Sequence, residues 1–310
     1  MKQEKPRKIW IAIFILVVLF LISTAIAGVI NFFTNFSEGE NGEEGNVALI
    51  PIKGVIVADE ETQFLGTSGT ASSTKIIKQL EEAAADDEIK AIILEINSPG
   101  GSAVASDEVA QEIKAIKANK TVVAWIREVG ASGGYWIASA TNYTIANRMS
   151  ITGSIGVLGS YLEYPELLER FNVTYRRLVS GKYKDAGTPY RHLTDEEERL
   201  IQERIDEMHD IFIEEVAENR HLNVKDVRKI ATGMVYLGAE AKELGLIDVV
   251  GGKKEAVKYL EKALNTTVQV KEYKEKKNIL ELLRQLQSQG QSAEAFTKLL
   301  MLDQTPAISS

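Results

Sequence analysis

The sequence predicts an α/β protein with a mainly parallel sheet, preceded by one transmembrane helix. Two observations carry this expectation. Short apolar, β-branched runs alternate with helical repeats through the middle of the chain, the pattern of parallel strands joined by helices. Ahead of them, Ile9 to Ile30 runs 22 residues without a charged side chain, and a helix needs about 20 apolar residues to cross the hydrocarbon.

The elements follow in order. Val47–Ile52 and Val55–Ala58 are apolar, β-branched and bounded by turn residues, so both read as strands. Ser73 is placed as the cap of a helix carrying Ile76, Ile77, Leu80, Ala83 and Ala84 on one face. Ala91–Ile96 is apolar apart from Glu95, as in a strand buried on both sides. A second helix presents Val109, Ile113 and Ile116; Thr121–Ile126 and Tyr143–Ala146 are the next strands. Thr194 and Glu197 spell a capping box before a long helix ending near Asn219, and shorter helices run on through Lys262. Beyond Val270 the chain turns to charged and Gln-rich sequence. Leu280, Leu283 and Leu286 keep helical spacing there, so the tail reads as partly helical or disordered.

Charge orients the apolar span. Lys2, Lys5, Arg7 and Lys8 precede it against one Glu4, while Glu38, Glu40, Glu43 and Glu44 follow it. That asymmetry places the N-terminus in the cytoplasm and the rest of the chain outside. A secretory apolar region is only about 7–15 residues long, so an uncleaved signal anchor is favoured over cleavage at Ala25-Ile26-Ala27. The expected organisation is a cytoplasmic stretch at 1–8, a membrane span at 9–30 and a Gly/Glu/Asn-rich linker at 31–46. A catalytic-sized domain follows at 47–270 and a tail at 271–310.

Composition narrows the chemistry. At 45% hydrophobic and 26% charged residues the 310-residue chain has ordinary globular composition. Lys and Arg number 36 against 44 Asp and Glu, a net charge of −8, so no basic surplus exists for nucleic acid. With no cysteine, disulfides, thiolate nucleophiles and thiolate metal sites are excluded. Three histidines, His192, His209 and His221, leave little for a zinc site or a histidine-based triad, and no metal or organic cofactor is expected.

Four glycine-rich constellations stand out. Asn97-Ser98-Pro99-Gly100-Gly101-Ser102 follows a buried strand and precedes a helix. Its paired glycines let backbone amides approach a developing oxyanion, although a plain strand-to-helix turn reads the same way. Gly130-Ala131-Ser132-Gly133-Gly134-Tyr135 sets a serine among small residues at a helix start. That is the logic of a nucleophile elbow without its usual spelling, or simply a helix cap. Ser150 to Val157 holds hydroxyls among glycines, with Ser154 at its centre, and Ser180 to Pro189 is a loop carrying Lys182 and Lys184; alone, these read as a turn and as solvated lysines. Taken together they pair an exposed serine with a lysine base, a known variant of triad chemistry. An ordinary lysine titrates near ~10.4, so burial must lower it by roughly three units, about 4 kcal/mol, to supply a neutral amine.

These four pieces in order, with Ala241 to Asp248 as a fifth, resemble the signal peptide peptidase A family of serine proteases in its short, single-core form. The resemblance runs from about Val47 to Val250. It implies a Clp protease/crotonase-like α/β core and a Ser-Lys dyad, with Ser132 as nucleophile and Lys184 as general base, Lys182 being the rival. It further implies that Ser154 orients the lysine, and that the Gly101 and Gly133 amides form the oxyanion hole. The implied protein is a membrane-anchored endopeptidase that degrades hydrophobic peptides, residual signal peptides among them, and assembles as a homo-oligomeric ring. Two other classes fit less well: a crotonase-type acyl-CoA enzyme, which a secreted domain would not supply with coenzyme A, and an inactive membrane scaffold, which has no use for an intact Ser132 and Lys184.

Overall fold

The computed structural model describes residues 45–59 and 69–273, with Ser23 and Thr24. The chain divides into two units, Met1–Gly45 and Asn46–Ser310, and the strands and helices below belong to the second. Apart from Ser23 and Thr24, the expected membrane span lies outside the described residues, as do nearly all of the linker and the tail from residue 274. Among the described residues no helix is long and apolar enough to cross a membrane.

Strands β1 (Val47–Lys53), β4 (Ala91–Ser98) and β5 (Thr121–Ala131) form the centre of an eight-stranded sheet. It is completed by β6 (Tyr143–Ala146), β7 (Ile151–Gly153), β8 (Val235–Leu237), β9 (Val249–Val250) and β10 (Val270–Glu272), in the order β10-β1-β4-β5-β6-β9 with β7 on β5 and β8 on β7. All its pairings are parallel except β7 with β8. A separate parallel pair joins β2 (Val55–Val57) to β3 (Thr70–Ser72). The mainly parallel α/β core expected from the sequence is therefore the observed one.

Both sheet faces are covered, which is why the central strands read as continuous apolar runs. Ala48, Ile50, Ile92, Leu94, Ile96, Val122 and Ala124 point to the larger core. That side carries helices α1 (Ser73–Ala85), α2 (Ala103–Ile116), α3 (Gly133–Ser139) and α5 (Asp195–Arg220), with buried residues of each in the same cluster. Val47, Leu49, Ala91, Ile93 and Val123 face the other way onto Ala256 and Leu260 of α8 (Lys253–Leu264). The remaining helices α4 (Pro165–Arg170), α6 (Val224–Ile230) and α7 (Gly238–Glu243) are short.

Several boundaries differ from the sequence expectation. Helix α1 is capped by Ser72, whose side chain accepts the Lys75 N–H at 3.3 Å, while the Ser73 hydroxyl donates to Glu108 at 2.9 Å. Strand β5 runs on from Ile126 to Ala131, across a register shift against β4: Ile96 pairs with Ile126, but Ser98 pairs with Gly130. Asn97 Oδ1 accepts the Val129 N–H within this irregularity, and beyond it β5 pairs with β7 rather than with β6, which ends at Ala146. Ile151–Gly153, which reads as a turn, is the strand that receives it. Strand β10 carries the folded chain past residue 270 to Glu272. The capping box of α5 is present as expected.

Helix α3 starts at the serine elbow and is anchored through two adjacent aromatic residues, Tyr135 and Trp136. Trp136 stacks on Phe212 of α5 with ring centroids 4.5 Å apart. The Tyr135 hydroxyl donates to Leu246 O at 2.8 Å, and Arg220 makes a bidentate pair with Asp248 at 2.9 Å. Within the fifth recognised stretch, Leu246 and Asp248 thus serve as struts. Phe212 is 1% exposed. Phe212→Ala should cost about 3–5 kcal/mol in urea unfolding, through lost burial and an unfilled cavity under α3.

Candidate active site

Ser132 is the hinge between β5 and α3. Its backbone sits at φ 51° and ψ −124°, a conformation non-glycine residues rarely adopt and one that costs about 1–3 kcal/mol. The surrounding hydrogen bonds enforce it. Ser132 N–H donates to Gly153 O at 2.9 Å, and Ser132 O accepts from the Tyr135 and Trp136 amides at 2.9 Å each. The hydroxyl does not cap the helix and makes no hydrogen bond among the described residues, so the cap reading gives way to an unengaged, partly exposed hydroxyl.

The first glycine turn packs directly on this elbow. Gly100 has φ +99°, and a Cβ there would lie 2.7 Å from Gly133 N and 2.8 Å from Ser132 Cβ. A Cβ on Gly133 would stand 2.2 Å from the buried Ser106 Oγ and 3.4 Å from Gly101 N. The two turns therefore meet backbone to backbone, and Ser132, Gly133 and Gly101 come together there. Gly133 is the first residue of α3, where an amide has no intrahelical acceptor. Neither its N–H nor that of Gly101 finds a backbone acceptor among the described residues. Such amides can stabilise an oxyanion next to the serine.

Ser154 and Lys184 are placed differently. Ser154 follows Gly153 and has φ 50°; its N–H donates to Met234 O at 2.9 Å and its hydroxyl to Gly233 O at 3.3 Å. Lys184 lies in the exposed turn 180–187, its N–H donating to Gly181 O. Among the described residues its ammonium has no hydrogen-bond or ion-pair partner, and so no such bond to Ser132 or Ser154. Lys182 instead pairs with Glu196 at 2.5 Å, and that hydrogen bond pushes its ammonium above the ordinary range. A lysine held protonated is a poor base, which weighs against Lys182 as the rival.

The lysine turn is clamped, a feature the sequence reading missed. Asp185 accepts Arg177 Nε and Nη2 at 2.7 and 2.8 Å and Arg191 Nε and Nη2 at 3.0 Å each. Arg191 also forks onto Glu197 at 2.7 and 2.8 Å, which fastens the turn to the capping box of α5. The hydrogen bonds from Arg177, then from Arg191, hold the Asp185 carboxyl well below the usual range, and Arg191 does the same to Glu197. Only the capping box itself was visible as spacing.

The other groups lie elsewhere. His192 bridges Glu163 at 2.6 Å and Glu166 at 2.7 Å, and these bonds raise its pKa. His209 is in α5 and His221 is the left-handed C-cap of that helix. Among the described residues no cluster of His, Cys, Asp and Glu could hold a metal ion.

A parallel α/β core that presents a serine elbow beside free glycine amides defines a hydrolase-type site. The Peptidase family S49 profile matches residues 114–267 and the Clp protease profile residues 47–157. A protein of Enterococcus faecium named for signal peptide peptidase SppA is 33% identical over 260 residues, covering 81% of this chain and 75% of its own length. A Methanocaldococcus jannaschii protein named as a protease is 37% identical over 62% of this chain and 61% of its own. Protease 4 of Haemophilus influenzae is 32% identical over 71% of this chain, but this chain spans only 35% of it. The chain belongs to peptidase family S49. Family and relatives together support a serine peptidase of the signal peptide peptidase type.

Linkage predicts how the segment 158–193 responds to pH. A histidine with a raised pKa contributes fully below its unfolded value of ~6.5 and loses that contribution as pH rises through the folded value. The depressed carboxylates Asp185 and Glu197 contribute above their unfolded values, and that contribution is lost only as pH falls through the folded ones. Between pH 6 and pH 9, amide exchange corrected for its chemical rate should therefore rise around 163–166 and 192–193. It should rise less across 177–191. Equal changes in the two stretches would show that the His192 bridge does not hold the segment.

Proposed function

We propose that the protein is a membrane-anchored endopeptidase that cleaves hydrophobic peptides through a Ser132–Lys184 dyad completed between two copies of the chain. What carries this reading is Ser132 itself: a strained elbow with an unpartnered hydroxyl, next to two glycine amides. In the reaction, neutral Lys184 takes the Ser132 proton as Oγ attacks the scissile carbonyl. The Gly101 and Gly133 amides stabilise the oxyanion. Protonated Lys184 then delivers the proton to the leaving amine, and the acyl-enzyme is hydrolysed by a water that the same lysine deprotonates. Ser154, one residue beyond the carbonyl that anchors Ser132, would orient the incoming amine. No metal or cofactor enters these steps.

The supply of Lys184 from a neighbour is supported by its surroundings. Leu158, Leu162, Phe171 and Leu178 are 87, 78, 70 and 94% exposed, and Leu167, Val173 and Tyr175 of the same segment are exposed too. Apolar exposure on this scale marks a contact surface. A second copy seated on it would cover the segment, dry the lysine turn and favour the neutral amine. Repetition of one such head-to-tail contact closes a ring. The charge-free span at 9–30, with basic residues before it, supports a cytoplasmic N-terminus and an extracytoplasmic domain.

A serine-directed acylating probe on detergent-solubilised protein should label wild type but not Ser132→Ala; equal labelling of both would defeat the reading. Lys184→Ala and Lys184→Arg should each abolish nearly all turnover, since a guanidinium stays protonated, whereas Lys182→Ala should retain most of it. Chains carrying Ser132→Ala or Lys184→Ala should each be inactive alone. Co-assembled in equal amounts, they should regain activity at about a quarter of contacts, those that pair an intact serine with an intact lysine. Mixed assemblies that form but stay inactive would put the dyad within one chain.

A further inference from the structure

Three hydrogen bonds fix the turn between β4 and α2. The buried Ser98 Oγ accepts the Gly100 N–H at 3.1 Å. Gly100 O accepts the Ile56 N–H at 2.9 Å, and Ile56 O accepts the Ser102 N–H at 2.9 Å. Strand β2 thus reads this turn by a parallel bridge between Ile56 and Gly101. The approach is so close that a Cβ on Gly101 would fall 2.1 Å from Ile56 O.

Peptide planarity gives these bonds a consequence. In a trans peptide the carbonyl and the following N–H point in opposite directions. With Gly100 C=O committed to β2, the Gly101 N–H must point away from β2. That is the side on which the elbow lies, where a Cβ on Gly133 would be 3.4 Å from Gly101 N. Of the three bonds, only the one to Ser98 is made by a side chain. Ser98 ends a strand of buried apolar residues and is 0% exposed, so its hydroxyl sits where an apolar group would pack as well. Its oxygen also satisfies an amide that is buried at a glycine, the residue type freest to let its peptide rotate.

We infer that Ser98 is a positioning residue for peptide cleavage: its Oγ locks the Gly100–Gly101 peptide so that the Gly101 N–H faces the oxyanion formed on Ser132. This rests on the acyl-enzyme reading above and deepens it. Ser98 touches neither substrate nor nucleophile. It acts through the turn, and its removal loosens the aim of one donor without touching the dyad.

The test uses the assembled full-length protein, a hydrophobic tripeptide aldehyde and the matching alcohol. The aldehyde forms a hemiacetal with Ser132 Oγ whose oxygen occupies the oxyanion position; the alcohol cannot. Ser98→Ala should lower kcat and aldehyde affinity together by about 10–100-fold, less than complete loss of an oxyanion donor. KM, alcohol affinity and the pH midpoint of activity should stay where they are in wild type. Ser98→Thr, which keeps the oxygen, should hold the aldehyde-to-alcohol affinity ratio within about threefold of wild type. If Ser98→Ala weakens both ligands equally, or leaves kcat unchanged, Ser98 is only a packing residue and the inference is overturned. If the alanine chain does not fold, the threonine chain decides: a ratio that drops by much more than about threefold from the wild-type value overturns the inference, and a retained ratio supports it. If wild type binds the aldehyde no better than Ser132→Ala does, the acyl-enzyme reading itself fails, whatever Ser98 does.

Discussion

Two turns from different parts of the sheet meet with no side chain between them, and the site depends on that contact. Gly100 lies against Ser132 and Gly133 at a distance that excludes even a methyl group. One turn brings a serine forced into a positive φ, the other brings Gly101. Neither turn is a site alone. The strain at Ser132 persists because three backbone hydrogen bonds and the packing of α3 on α5 leave it no alternative.

Much of the remaining architecture serves to place these turns. The parallel order sets the ends of β4 and β5 side by side, where loops at the carboxyl ends of strands naturally form a site. After the register shift that follows Ile96, the last residues of β5 pair with β7. That pairing supplies the Gly153 carbonyl that Ser132 donates to. Behind the site, Trp136 on Phe212 and Arg220 on Asp248 keep the elbow from moving with its helix.

The lysine obeys a different logic. Its turn is locked by a charge network from Arg177 through Asp185 and Arg191 to Glu197, yet the segment that carries it exposes one large apolar side chain after another. Local rigidity and missing cover occur together in this segment, and both are what the proposed contact with a second copy would need. The clamp is charge-balanced within itself, so it fixes the turn without adding net charge beside the lysine. The His192 bridge to Glu163 and Glu166 ties the two ends of that segment together.

The sequence by itself determined the layers and the chemistry on offer. Uninterrupted apolar runs such as Ala91–Ile96 require burial on both faces, and that alone implies a parallel sheet with helices to cover it. The absence of cysteine and the scarcity of histidine left a serine and a lysine, and glycine spelling marked where backbone comes close. The tertiary structure alone decided where those turns meet. Ser132 and Gly101 are 31 positions apart, and only the adjacency of β4 and β5 sets their amide and hydroxyl together. Ile151–Gly153 looked like a turn because three residues carry no period; its pairing on β5 made it a strand. Ser98 and Asp185 both sit inside glycine-rich stretches that stand out in the sequence, but spacing assigns neither of them a role. Their parts depend on hydrogen bonds to residues brought near by the fold, and no local rule of sequence encodes that.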